Sequence, residues 1–268
     1  MRMKRWLTGA ALVCALVLAG IAWWLGRAPA PAPPADEAVP PGAGQSAALP
    51  AGCRDESFEA SAFIVCPVDP ARQAVSLELT RPDGKPLEKL ELTRAPFVWA
   101  MNAGMYHDDF SPVGLYVEAG VQRAPLNLAD AGGNFFLKPN GVFFIDGTGK
   151  PGVLETSAYL RLRPAVDLAT QSGPMLVIDG NLHPRFEPDG RSKHVRNGVG
   201  VDKTGRAVFA ISRGQVSFGR FARLFRDKLG CDNALFLDGT VSALHDGRRY
   251  VVGGQYPVGP ALVVRRIQ

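Results

Sequence analysis

Apolar and polar residues alternate one for one in short runs along most of this chain, and a period of two commits a segment to extended backbone. In AVSLELT (74–80), Val75, Leu77 and Leu79 alternate with polar neighbours; KLELT (89–93) and FVWAM (97–101) repeat the pattern. Such runs predict half-buried strands. NFFLKPNGVFFID (134–146) sets two apolar runs around Pro139-Asn140-Gly141, and VRNGVGVDKTGRAVFAIS (195–212) turns at Lys203-Thr204-Gly205. Both predict hairpins. A third is expected at Asp246-Gly247, with PALVVRRI as a closing strand. One segment departs from the period. SFGRFARLFRDKLG (217–230) places Phe218, Phe221, Ala222, Phe225 and Leu229 on one helical stripe, with Ser217 to cap its start and Gly230 its end. A shorter helix is expected within PAVDLA (164–169). The fold class expected is therefore α+β: a strand-dominated mixed sheet with one long amphipathic helix over 217–230 and one or two short helices.

The pattern is absent from the first fifty residues. Arg2, Lys4 and Arg5 precede an uncharged stretch from Trp6 to Gly26, long enough against the ~20 residues a bilayer-spanning helix needs. Trp23 and Trp24 fall where an interfacial belt belongs, which favours a retained anchor over 1–27 above a cleaved signal peptide. The basic flank then leaves the N-terminus in the cytoplasm and the rest in the periplasm or outside the cell, secreted if the signal is cut. Residues 28–52 are rich in Pro, Ala and Gly and read as a spacer. A single domain over 53–268 remains.

The formal charge of +5 overstates the domain's basicity, since four cations sit in the first 27 residues. Setting those aside leaves 26 basic against 25 acidic residues. No nucleic-acid partner is expected from so even a balance. Cys53 and Cys66 suit a disulfide closing a short loop in an oxidising compartment, while Cys231 reads as a buried apolar residue. The four histidines, His107, His183, His194 and His245, show no ligand spacing and read as surface or loop residues, with His194 the one nearest a candidate motif. No cofactor or metal is expected, although calcium stays open because its Asp and Asn ligands would leave no readable spacing.

Thirty glycines exceed the ~7% usual in soluble chains. Many follow strands, where glycine marks a bulge or a ligand lying close to the backbone. In VRNGVGV, Arg196 shares a strand face with Gly198 and Gly200, a seat for a phosphate or carboxylate; the plainer reading pairs Arg196 with Asp202. In ALFLDG, Asp238 ends a strand as a candidate catalytic acid, or closes an Asx-turn. Asn102 follows a strand in MNAGMY, to hold a hydroxyl or to cap a turn. Ser172-Gly173 precedes Pro174 and can aim backbone amides as an anion nest. Glu118 is a spare carboxylate and a candidate second acid.

Taken in order, MNAGMY, PVGLYVEAG, GNFFLKPNGVFFI, QSGPMLVIDG, RNGVGV and CDNALFLDGTVS resemble the phosphodiester glycosidase family over about Phe58 to Arg266. The family's asparagine-glycine stretch falls on Asn102–Gly104, its arginine on Arg196 beside Asn197, and its Leu-Asp-Gly with a following serine on Leu237-Asp238-Gly239 and Ser242. Animal members carry a run of glycines after that aspartate, where this chain has Thr240. The resemblance implies hydrolysis of a sugar-1-phosphodiester at the glycosidic C–O bond. Asp238, with Glu118, would be catalytic; Asn102, Gly104, Ser172, Gly173, Arg196, Asn197, Gly239 and Ser242 would bind substrate. A carbohydrate phosphodiester is the expected partner, with the membrane as a second through the N-terminal helix. Two rival readings are an envelope glycan or sugar-phosphate-binding module without catalysis, and a metal-dependent phosphodiesterase cutting P–O.

Overall fold

A computed structural model describes residues 48–267. Its strands are β1 (Arg54–Phe58), β2 (Ser61–Pro67), β3 (Gln73–Glu78), β4 (Trp99–Asn102), β5 (Tyr116–Glu118) and β6 (Val121–Ala124). There follow β7 (Gly141–Asp146), β8 (Pro151–Glu155), β9 (Val166–Ser172), β10 (Met175–Ile178), β11 (Asn181–Leu182) and β12 (Asn197–Val201). The chain ends with β13 (Ala207–Ser212), β14 (Asn233–Phe236), β15 (Leu244–His245), β16 (Tyr250–Val252) and β17 (Ala261–Arg266). They form one seven-stranded sheet, ordered β1-β2-β13-β12-β14-β10-β11, and two of five strands, β16-β15-β4-β17-β3 and β6-β5-β9-β7-β8.

The period-two runs explain how three sheets share one core. Val199, Phe209, Ile211 and Leu235 of the seven-stranded sheet meet Trp99, Met101 and Leu262 of one small sheet and Tyr116, Phe143 and Leu168 of the other. Residues of the opposite parity, Val65, Val208, Ala210 and Phe236, turn outward and are covered by Phe221, Leu224 and Phe225. The central strands are thus buried on both faces.

Several expectations are corrected. Among the described residues 40% are strand and 10% helix, so this part of the chain is mostly β, not α+β with a long helix on a mixed sheet. Every ladder among the described residues is antiparallel. The helix expected over 217–230 is α2 (Phe218–Arg223) running into a π-turn, Leu224–Lys228, 11 residues together. Leu229 donates its N–H to the carbonyl of Leu224, an i→i+5 bond that widens the coil and takes the last residues off the stripe. Both end signals hold: Ser217 accepts from the Arg220 amide, and Gly230 sits at φ +67. PAVDLA enters β9 instead of a helix, and the short helix is α1 (Thr156–Leu162), capped by the Glu155 carboxylate. KLELT forms only a 3-10 turn at Leu90–Leu92. The hairpin expected at 139–141 is displaced to β7–β8, because the Asn140 side chain is buried and donates to the carbonyl of Phe135.

Cys53 and Cys66 are disulfide-bonded, a link compatible with an oxidising compartment. Among the described residues no helix is long and apolar enough to cross a membrane. The single-pass placement at the cell membrane with a periplasmic domain, and with it the membrane as a partner, is accordingly withdrawn. The anchor expected over 1–27 and nearly all of the spacer lie outside the described residues.

Candidate active site

Strands β4, β9 and β14 end, and β12 begins, around the short segment Leu237-Asp238. Four buried polar side chains hold that segment by its backbone. Asn102, the last residue of β4 and 2% exposed, donates its amide to the carbonyl of Asp238 (3.0 Å). Ser242 donates to the same carbonyl (3.0 Å). Ser172, the last residue of β9, donates to the carbonyl of Leu237 (2.7 Å). The Asn197 side chain accepts the Asp238 N–H (3.3 Å) and donates to the side-chain oxygen of Asn102 (2.9 Å). Asn102 also accepts from the amide of Ala243 (2.9 Å). Left unpaired in this interior, each such group would cost about 1–3 kcal/mol, so the network fixes the turn in one geometry.

The Asp238 carboxyl is crowded by protein yet partly open to water, and burial pushes its pKa from 3.8 up to about 6, with the Thr240 amide pulling the other way. Among the described residues no cation offsets that burial. Arg196 stands just before β12 and Asp238 two residues after β14, strands that pair from Gly198 opposite Phe236. The guanidinium is nevertheless drawn aside: it donates to the carbonyls of Val216 and Ser192 (2.9 Å each) and lies 3.5 Å over the Phe218 ring. Arg196 is 1% exposed, makes no ion pair among the described residues, and burial lowers its pKa to about 10, which leaves it charged at neutral pH. The expected alternative, pairing with Asp202, does not occur, because Asp202 binds Arg206 (2.9 Å).

Tyr106, at the end of MNAGMY, was not singled out from sequence. Its hydroxyl donates to the carbonyl of Pro257 (2.7 Å). Burial and the Asp238 charge together raise its pKa to about 12, which places the phenol within the carboxylate's field. The one readable signal was its position four residues beyond Asn102.

Glu118 does not join the cluster. It sits level with Leu168 on the neighbouring strand, four residues or about 13 Å from Ser172, and pairs with Arg94 (3.7 Å). The candidate glycines serve packing. A Cβ on Gly104 would fall 2.5 Å from the Gln171 carbonyl oxygen, and one on Gly173 2.6 Å from that of Phe135. One on Gly239 would meet the Phe236 ring at 2.9 Å. Gly198 and Gly200, expected to floor a ligand seat, instead admit Phe221, Phe225 and Cys231 against the sheet. Two histidines also depart from expectation: His183 and His245 are buried, at 2% and 4% exposed. Among the described residues no group of three His, Cys, Asp or Glu side chains is placed to hold a metal ion.

The model of the phosphodiester glycosidase family matches residues 95–265, well over half the chain and every candidate site residue. An uncharacterised protein of Escherichia coli, YigE, is 42% identical over 158 residues, 59% of each chain, so the match spans less than two thirds of that relative. Among solved structures, the catalytic domain of zebrafish N-acetylglucosamine-1-phosphodiester alpha-N-acetylglucosaminidase, auto-inhibited by its pro-peptide, is similar at TM-score 0.58 and 16% identity, over 80% of this chain and 81% of that one. A putative exported protein of Burkholderia pseudomallei is similar at TM-score 0.54 and 15% identity, over 76% and 74%. At such identities these two likenesses concern the fold alone.

Proposed function

The chain belongs to the phosphodiester glycosidase family, and from that premise we propose that it hydrolyses a sugar-1-phosphodiester at the glycosidic C–O bond, with Asp238 as the catalytic carboxylate. The observation that carries this reading is the state of Asp238: a carboxyl raised to about 6, unpaired by any cation among the described residues, on a turn held by four buried side chains. A carboxylate with a pKa just below neutrality is a base matched to its task. Water attacks the anomeric carbon as Asp238 takes its proton. The C–O bond breaks, and the phosphate leaves with the bonding electrons as a monoester. A phosphate ester is a good enough leaving group to depart without a strong acid, so a second carboxyl such as Glu118 is not required.

Arg196 supplies the positive charge for the phosphate. Among the described residues its guanidinium has no carboxylate partner and donates only to the carbonyls of Val216 and Ser192 and the Ser192 hydroxyl, so a substrate anion would compensate a buried cation. Asn102, Asn197, Ser172 and Ser242 act through the backbone of the turn, as positioning residues. Gly104, Gly173 and Gly239 let that backbone pack.

Turnover in isotope-labelled water tests the reading. The label is expected in the released sugar, and label in the phosphate overturns C–O cleavage. Asp238→Asn is expected to lower kcat at least a thousandfold while a sugar-1-phosphodiester still binds; retained turnover would remove Asp238 from the chemistry. The wild-type rate should climb with pH through about 6 as the base ionises.

A further inference from the structure

The loop after β16 is shaped by two consecutive glycines with positive φ, Gly253 (+71) and Gly254 (+95). A Cβ on Gly253 would fall 2.2 Å from the Ser242 carbonyl oxygen, and one on Gly254 2.5 Å from the Tyr250 ring. Only glycine combines that conformation with that approach. The loop therefore lies flat on Ser242–Ala243, and the next two residues, Gln255 and Tyr256, are delivered opposite the turn that follows Asp238.

A cavity of about 530 Å³ lies between them, bordered by His194, Gln215, Thr240, Gln255, Tyr256 and the backbone of Gly239. Its volume is within the roughly 300–1,000 Å³ of ligand pockets. The polar heads of His194, Gln215, Thr240 and Gln255 make no hydrogen bond with any described residue; His194 is held through its backbone alone, at Val216. Tyr256 is 60% exposed, a large ring with no packing duty that would account for it. The bordering cation, Arg213, is already matched by Asp55 (2.7 Å). The wall thus offers free donors and acceptors, an aromatic surface and no uncompensated charge. The unpaired cation of this region is Arg196, a separate feature one residue beyond the Val195 that borders the cavity.

We infer that this cavity is a subsite for an uncharged sugar unit of the substrate, with Tyr256 against the apolar side of the sugar ring and Gln215, Thr240, Gln255 and His194 taking its hydroxyls. Charge sorts the two halves of the ligand: the phosphate belongs with Arg196, and the hydroxyl-rich half with a wall that would leave an anion uncompensated. The side chains are exposed, so their donors and acceptors are open to a ligand without any rearrangement of the fold. Thr240, two residues after Asp238, is one of the groups that would take a hydroxyl. The inference rests on the reading of Asp238 for where the sugar stands along the substrate; binding in the cavity is measurable without turnover.

The test is titration of the full-length protein with the methyl glycosides of glucose, galactose, mannose and N-acetylglucosamine, and with inorganic phosphate, followed by saturation-transfer NMR. At least one glycoside is expected to bind, with its Kd raised tenfold or more by the double substitution Gln255→Ala and Tyr256→Ala, and independently by Gln215→Ala on the facing wall. All three residues are exposed, so an unchanged Tm is expected to accompany the loss. Phosphate binding should be unaffected by both variants. The subsite is overturned when no glycoside binds, when binding survives both variants, or when phosphate is the species they release. Turnover retained by Asp238→Asn, by contrast, defeats the hydrolytic reading and leaves the glycoside result standing.

Discussion

Asp238 holds its proton more tightly in the folded chain than in the unfolded one, from 3.8 up to about 6, because burial disfavours its charge. Such a group stabilises the fold most at low pH, and its contribution is lost as the pH climbs through about 6. With the carboxyl still partly open to water, ionisation costs about 2 kcal/mol of stability over roughly pH 4 to 8. Asp238→Asn carries no such charge. It should therefore unfold at higher denaturant than wild type near pH 8, with the two converging near pH 4; a gap of constant size across that range would show that burial is not what perturbs the group. The variant expected to be inactive is thus also the more stable one, as expected where function keeps a strained charge in place. At this scale much was readable in the sequence. Asp238, Asn102, Ser172, Asn197 and Ser242 do converge, since a polar residue ending an apolar run has little else to do there. What could not be read was the direction of contact: the two asparagines and two serines grip backbone around Asp238. Glu118 was misplaced because proximity between strand ends depends on register, which alternation does not specify. Tyr106 was missed because its role comes from a partner 151 residues away.

Helix α2 and its π-turn sit on the seven-stranded sheet through glycines. A Cβ on Gly200 would fall 2.7 Å from the Cys231 sulfur and 3.0 Å from the Phe225 ring. Gly200→Val should lift this segment and cost about 1–3 kcal/mol, the usual range for overpacking, read from the denaturation midpoint; a neutral result would mean that helix and sheet are not closely fitted there. Glycine after glycine along a strand reads, in sequence, as space left for a ligand. A helix proves to be the occupant, and composition alone does not distinguish the two. The elements that were legible are those whose signals are local: the turns at 203–205 and 246–247, the Ser217 cap and the Gly230 stop. The extent of the 217–230 helix was not, because tertiary packing widens its last turn. The strand entered at PAVDLA was not either, since five residues of ambiguous period do not outweigh a leading proline.

Across the whole molecule, the site depends on three sheets at once. Asn102 comes from one small sheet, Ser172 from the other and Asn197 from the large one, and all three bind within two residues of chain. Held from all three, the turn is expected to open only when they separate. The amides of Leu237 and Ala243, bonded to Asn197 and Asn102, should exchange with solvent only through global unfolding, at the free energy given by denaturation. Exchange much faster than that would reveal a turn that opens on its own. The division between frame and cavity has an evolutionary consequence. Among the described residues the side chains of Gln215, Thr240, Gln255 and Tyr256 are exposed and make no hydrogen bond, while the residues that shape the turn are committed to its folding. With the cavity as the proposed sugar subsite, a lineage of such proteins would change which sugar it accepts by altering a handful of surface side chains, and keep its skeleton unchanged while doing so.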